Sequence, residues 1–233
     1  MALPVLKTPT YEFAIPSTGK IVEYRPYTVK EEKILLLAKE TKDPKAMLRA
    51  SRDLIRACTF EKVYTNSLTM FDFEFMFLQI RAKSVGETSD IQVACTKCQE
   101  YNDININIDE AEVKGDLKRD MKVMIDDNVG IVLKFPMFKS AEMFVGEEES
   151  VDTVLNLIAS CIDSIFDQDS VYPAKEQTEE ELIKFVESIS SSKFKDISAK
   201  LDDLPSVALD TVFDCVHCEH KNKVEIKGLQ SFF

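Results

Sequence analysis

A chain of 233 residues, 45% hydrophobic and 30% charged, is long enough for one large domain or two small ones and too apolar to stay disordered. Its formal net charge of −12 argues against nucleic acid as the main partner and against docking on anionic lipid, since both need a basic patch. No apolar run approaches the roughly 20 residues that span a bilayer. The opening MALPVLKTPTYEF lacks the basic and apolar regions of a signal peptide, so the thiols are expected to stay reduced.

In chain order, residues 11–25 read as a hairpin around PSTGK. Thr28 with Glu31 forms a capping box for a helix through about Lys39. Asp43 followed by Pro44 starts a second helix that runs to about Cys58. The stretch TMFDFEFMFLQIRAKSVG carries Phe71, Phe73, Phe75 and Phe77 in strand-like alternation. The Thr69 cap and Gly86 after the run instead favour a largely buried helix. Residues 121–135 read as another hairpin, turning at DDNVG. A helix over 150–166 would align Val151, Val154, Leu155, Ile158, Ile162 and Ile165. DQDSVYPAKEQ reads as a loop, followed by helices over 179–189 and about 193–203 that end before Pro205. The tail KGLQSFF places Phe232 and Phe233 either over the core edge or on a partner.

Two CxxC knuckles interrupt this series. QVACTKCQEYNDI holds Cys95 and Cys98, and VFDCVHCEHKNKVEI holds Cys215 and Cys218. Each sits between two strand-like runs, and in each an Asn follows the second Cys by four positions. The likeness extends upstream. FAIPSTGKIVEYRPYTVKEE resembles VMIDDNVGIVLKFPMFKSAE, LIRAC echoes LIASC, and the Thr69 and Thr178 helix starts correspond. The fold class expected is therefore α+β, with two pseudo-repeated halves over 1–110 and 111–233, packed separately or as one compact unit. Each half would comprise a β-hairpin, helices and a β-CxxC-β knuckle. If the copies pack about a pseudo-twofold axis, the knuckles meet, and Cys95, Cys98, Cys215 and Cys218 form one zinc-ribbon-like site holding one structural zinc per chain. The plainer alternative is two thiol pairs without metal. A redox role fits less well, because neither CxxC precedes a helix that would lower a thiol pKa. Gln99 and Glu219 stand where zinc knuckles often place Gly.

Little points to catalysis. The two histidines, His217 and His220, both lie at the second knuckle and are read as a solvent-facing loop, leaving no further His for a nucleophile pair. No GxGxxG or GxxxxGK[ST] occurs. Cys58 and Cys161 lie in apolar helix stretches and read as small core residues. The acidic strings GEEES and TEEEL precede helices, where carboxylates favour the positive end of the dipole.

The strings YEFAIPSTGKIVEYRPYTVKEEKILL, FDFEFMFLQIRAKSVGE and LIKFVESISSSKFKDISAKLDDLP, with FDCVHC and GLQSFF, resemble the baseplate protein family of T4-like tailed phages. RPYTVKEEK and RAKSVGE are the most specific, and the likeness covers nearly the whole chain. The resemblance implies a late phage protein of baseplate hub assembly in the host cytoplasm, with hub proteins as partners. Its members are described as hub subunits, kept in the virion tail, or as assembly chaperones. It brings no catalytic residues. The expectation is a non-enzymatic assembly factor (a chaperone), with a permanent hub subunit as the alternative and a zinc- or thiol-dependent enzyme as the remote one. Glu219 departs from the CxxCG form associated with the family.

Overall fold

The computed structural model describes residues 6–147, 150–202 and 204–232. In chain order the elements are β1 (Tyr11–Ala14), β2 (Ile21–Tyr24), α1 (Val29–Thr41), α2 (Pro44–Cys58), α3 (Met70–Val85), β3 (Thr88–Ala94), β4 (Tyr101–Asn107), β5 (Glu112–Lys114), β6 (Lys122–Met124) and β7 (Gly130–Leu133). Then come α4 (Phe138–Phe144), α5 (Val151–Ser160), β8 (Ile162–Phe166), β9 (Val171–Pro173), α6 (Glu179–Glu187), α7 (Ser191–Asp202), β10 (Ser206–Asp214) and β11 (Lys221–Lys227). The mixed α+β class follows directly. All strand pairs are antiparallel, in sheets β1-β2, β3-β4, β11-β10-β5 and β6-β7-β8-β9.

The local signals explain most boundaries. At α1 the Glu31 carboxylate accepts the Thr28 N–H at 2.8 Å, closing the first turn. At α2 the Asp43 carboxylate accepts the Lys45 N–H at 2.9 Å, with Pro44 at the first helical position. Thr178 and Glu181 form the same reciprocal box at α6. The β1–β2 turn needs Gly19, whose φ of 69° is left-handed. In the β6–β7 turn the Asp126 carboxylate accepts the N–H groups of both Asn128 and Val129.

The phenylalanine run is helical. Phe71, Phe73, Met76, Phe77, Leu78, Ile80 and Ala82 are all buried on α3. A helix apolar on nearly every side gives no clean stripe, which is why its sequence imitates a strand. Early on α3 the Asp72 carboxylate accepts the N–H (2.9 Å) and hydroxyl (2.6 Å) of Ser17.

Two expectations need correction. The helix expected over 150–166 stops at Ser160, and Ile162–Phe166 is strand β8. Ile162 and Ile165 stand opposite Leu133 and Ile131 of β7, so pairing with a buried central strand overrides helical spacing. The DQDSVYPAKEQ loop likewise contains β9, an edge strand on β8, where Pro173 is tolerated. Of the terminal pair, Phe233 lies outside the described residues.

The chain packs as two compact units. The first draws on the described residues of Met1–Thr65, Phe71–Lys114 and Ser206–Phe233; the second on Asn66–Met70 and Gly115–Pro205. The first unit's core gathers Leu78 and Ala82 of α3 with Ile91, Ile106, Val207, Leu209 and Ile226 of the sheets. It also holds β5 against β10, with Lys114 opposite Ser206, so the ends of the 115–205 insertion leave from one ladder. The second unit packs α5, α6 and α7 on its four-stranded sheet around Ile131, Leu133, Ile158, Ile162, Val186 and Ile197. Among the described residues no helix is long and apolar enough to cross a membrane.

A candidate metal centre of four cysteines

Each knuckle grows from a seven-pair ladder. β3 and β4 pair from Thr88–Asn107 to Ala94–Tyr101, and β10 and β11 from Ala208–Lys227 to Asp214–Lys221. At the open end of each ladder the chain turns over the sulfurs. The Cys95 N–H donates to the Glu100 carbonyl at 2.9 Å and the Gln99 N–H to the Cys95 carbonyl at 3.0 Å. In the second knuckle Cys215 donates to His220 at 2.9 Å and Glu219 to Cys215 at 2.9 Å. Lys97 and His217 each point an N–H at the first sulfur of their knuckle, both at 3.4 Å. The turns close through Gln99 at φ 65° and Glu219 at φ 57°. Non-glycine side chains therefore adopt the left-handed conformation, at about 1–2 kcal/mol each. The missing Gly alters the cost of the turn and leaves its geometry in place.

Cys95, Cys98, Cys215 and Cys218 are brought together, with their sulfurs all within 4.8 Å of one another. Cys95 and Cys218 are 3.7 Å apart, and Cys98 and Cys215 3.6 Å. Thiolates on a tetrahedral ion at about 2.3 Å stand about 3.8 Å apart, so this donor set fits such a cation. Cys95 and Cys215 are buried, while Cys98 and Cys218 are partly exposed.

The electrostatics suit a thiolate at the buried positions. Burial opposes ionisation of Cys95, but the N–H groups of Cys98 and Lys97 and the Asn222 amide outweigh it, holding the thiol down to about 6. Burial is likewise overcome at Cys215 by the N–H groups of His217 and Cys218. At Cys98 the Glu100 N–H favours ionisation, yet burial and the neighbouring sulfurs prevail and push the thiol up to about 12. Cys98 therefore holds its proton, which a bound cation would displace.

Two further residues complete the centre. Asn102 and Asn222 are 2% and 0% exposed. The Asn222 side-chain oxygen accepts the Thr96 N–H at 2.9 Å, and the Asn102 oxygen accepts the Val216 N–H at 2.9 Å. Each Asn also donates to its own turn, to Glu100 at 2.9 Å and His220 at 3.0 Å. The Asn222 amide additionally reaches the Cys95 sulfur at 3.5 Å. The common spacing after each CxxC was the sequence sign of this role.

The remaining candidates lie elsewhere. His217 is exposed, its ring nitrogen 3.3 Å from the Tyr101 carbonyl oxygen. Cys58 and Cys161 are fully buried, and burial pushes the Cys58 thiol up to about 12 and raises Cys161 as well. Both are core residues, and neither belongs to the cluster of four. Their backbone carbonyls accept the N–H of Arg25 at 3.0 Å and of Lys134 at 2.7 Å.

Residues 8–233 match the family described as T4 bacteriophage base plate protein. The chain is similar to the baseplate hub assembly protein gp26 of Enterobacteria phage T4, with 25% identity over 225 residues covering 96% of this chain and 97% of that protein. No solved structure matches it.

Proposed function

Because the chain belongs to the T4 bacteriophage base plate protein family, we propose that it is a non-enzymatic assembly factor for the baseplate hub of a contractile-tailed phage, acting in the infected host's cytoplasm on hub proteins. The observation that carries this reading is the near end-to-end similarity to a hub assembly protein. The family's description as a base plate protein favours a second reading, a permanent hub subunit. Quantitative mass spectrometry of purified particles against infected-cell lysate separates the two. Abundance in lysate with absence from particles supports the assembly factor; fixed copy number in particles overturns it in favour of the subunit.

In this reading the cysteine cluster holds one structural zinc per chain. Four thiolates close the coordination shell, leave no open position for a substrate, and make binding energy into folding energy. Zinc is the choice because soft sulfur donors in a tetrahedron suit it. One zinc per chain, with the four thiols resisting alkylation until a chelator is added, is the result expected. A reactive thiol in the zinc-loaded protein would favour an enzyme instead.

The halves 1–110 and 111–233 are, on this reading, two copies of one unit. Support comes from hydrogen bonds that recur at corresponding places. Both knuckles repeat the bonds from the first Cys N–H to the carbonyl five residues on and back to its own carbonyl from four residues on, and the Arg25–Cys58 link at the end of α2 has its counterpart in Lys134–Cys161 at the end of α5. The strand pairs Phe13–Val22 and Val123–Ile131 also correspond.

A further inference from the structure

The acidity of the chain is concentrated in the second unit. Residues 115–205 hold 20 acidic and 10 basic side chains, and the rest of the chain holds 21 and 19. Nearly all of the net charge of −12 therefore belongs to the inserted unit. That unit carries a cleft of about 330 Å³ between α6 and the β8–β9 hairpin. Its walls are mostly apolar: Ile165 and Phe166 of β8, Tyr172 of β9, Leu182 and Phe185 of α6. Leu182 and Phe185 are three positions apart and so share one face of α6.

Two carboxylates enter the same lining, Asp167 and Glu181. Both are held ionised. The Asp169 N–H, the Tyr172 hydroxyl and the Ser170 N–H donate to Asp167 and pull its pKa below the usual carboxylate range. Thr178 does the same for Glu181 through its N–H and its hydroxyl. Both of those bonds end on Oε2, at 2.8 and 2.9 Å, so Oε1 of Glu181 keeps its lone pairs for a ligand. The segments that build the cleft, 126–129 and 165–185, hold eight carboxylates against two lysines, Lys175 and Lys184. A third lysine, Lys122, stands 4.3 Å from the Phe166 ring centroid, so this ring already meets one cation.

We propose that this cleft receives a basic segment of a partner protein, with an arginine or lysine stem laid on the rings and its charged head beside Asp167 and Glu181. Resting on the assembly reading above, this gives the chemistry of the hub partner. Arg and Lys join an apolar stem to a cationic head, which matches a lining of rings and fixed carboxylates. The surrounding acidic charge speeds the encounter with a basic partner and turns away acidic ones. A second copy of the chain fits poorly, because it brings the same acidic unit. Nucleic acid and anionic lipid are repelled for the same reason, within a Debye length of the surface.

The test uses the full chain and two fluorescent peptides with the same apolar residues, one carrying arginines and one carrying glutamates in their place. Anisotropy should show the arginine peptide binding about tenfold tighter or more. An acidic chain attracts cations over its whole surface, so variants of equal charge locate the site. Asp167→Asn with Glu181→Gln keeps acceptors for the turn and the helix cap, and should weaken that binding about tenfold. Asp152→Asn with Asp202→Asn removes the same charge from exposed positions outside the cleft lining, and should change it by less than about twofold. Tyr172→Ser, at a ring that is 43% exposed, should weaken it by about threefold or more. Unfolding midpoints check that each variant is folded; if the first pair is not, Tyr172→Ser against the Asp152 and Asp202 pair decides. Equal losses in the two charge pairs, unchanged affinity in Tyr172→Ser, or no preference for the arginine peptide overturns the proposal. The particle count that decides the assembly reading is independent of these peptides, so either idea can fail alone.

Discussion

Asn102 and Asn222 exchange places across the cysteine cluster: each caps the knuckle that belongs to the other hairpin. Asn102 accepts the N–H of Val216, Asn222 that of Thr96, both at 2.9 Å. The two hairpins are thus joined by polar bonds as well as by sulfur. Both amides are buried, and each bond left unmade deprives a backbone N–H of its partner.

Replacing either asparagine by alanine should therefore destabilise the protein by roughly 1–3 kcal/mol, and by similar amounts. The two variants should differ in metal affinity. Asn222→Ala also removes the amide beside the Cys95 sulfur, a contact of the kind that tunes ligand basicity, and should weaken zinc binding by about 10–100-fold. Urea unfolding and competition with a chromophoric chelator measure the two effects separately. Equal metal affinities in both variants would contradict this assignment.

Cys95→Ser and Cys215→Ser should each abolish stoichiometric zinc and lower the unfolding midpoint alike, because each breaks the same shell. Cys58→Ala should keep zinc at one per chain and cost only about 1 kcal/mol for the lost sulfur. Native mass spectrometry reports the metal in all three. If one knuckle variant retained zinc while the other unfolded, a shared site would be ruled out.

Glu31 sets part of the acid limit of the fold. Burial raises its pKa, but hydrogen bonds from Arg25 and Thr28 prevail and pull it down to about 2. A carboxylate depressed in the folded state contributes stability above its ordinary value of 4.5, and that contribution is lost as pH falls toward 2. Glu31→Gln should cost roughly 1–3 kcal/mol near neutral pH, since it leaves the Arg25 guanidinium without its anion. It should also flatten the stability curve over that window. An unchanged curve would show that another group governs it.

Glu74 works in the opposite sense. Burial on α3 raises its carboxyl to about 7, partly offset by the Leu229 N–H. The fold therefore prefers the protonated form. The contribution is complete below about 4.5 and is lost as pH rises through 7. Glu74→Gln keeps an acceptor for Leu229 and cannot ionise. It should be more stable than the parent above pH 7 and equal to it in mild acid, as denaturant midpoints on either side of the window will show.

Gly130 is needed for space. A Cβ there would run into the ring of Phe166, which lies across it from β8 with the Lys122 ammonium 4.3 Å from the ring centroid. Gly130→Ala should cost about 1–3 kcal/mol, and the cost should largely vanish in a Phe166→Ala background. Additive losses in the double variant would argue against the clash.

Much of this protein was legible locally. The Thr28, Asp43 and Thr178 caps, the Gly19 turn and the two CxxC knuckles depend on residues only a few positions apart, and short-range hydrogen bonds need nothing more. The four clustered cysteines were legible because the spacing within each pair is fixed by the turn that holds it. The 162–166 segment was not. Its isoleucines satisfy helical and strand spacing alike, and only the edge of β7 selects the strand.

The sequence by itself thus determined the elements whose causes are local, the cysteine pairs and the asparagines that follow them. The tertiary structure alone decided that both knuckles share one core while 115–205 packs as a unit of its own, and that each asparagine serves the opposite turn. The physical reason is distance along the chain. Partners such as Thr96 and Asn222, 126 residues apart, have no mutual signature until burial and long-range strand pairing bring their backbones together.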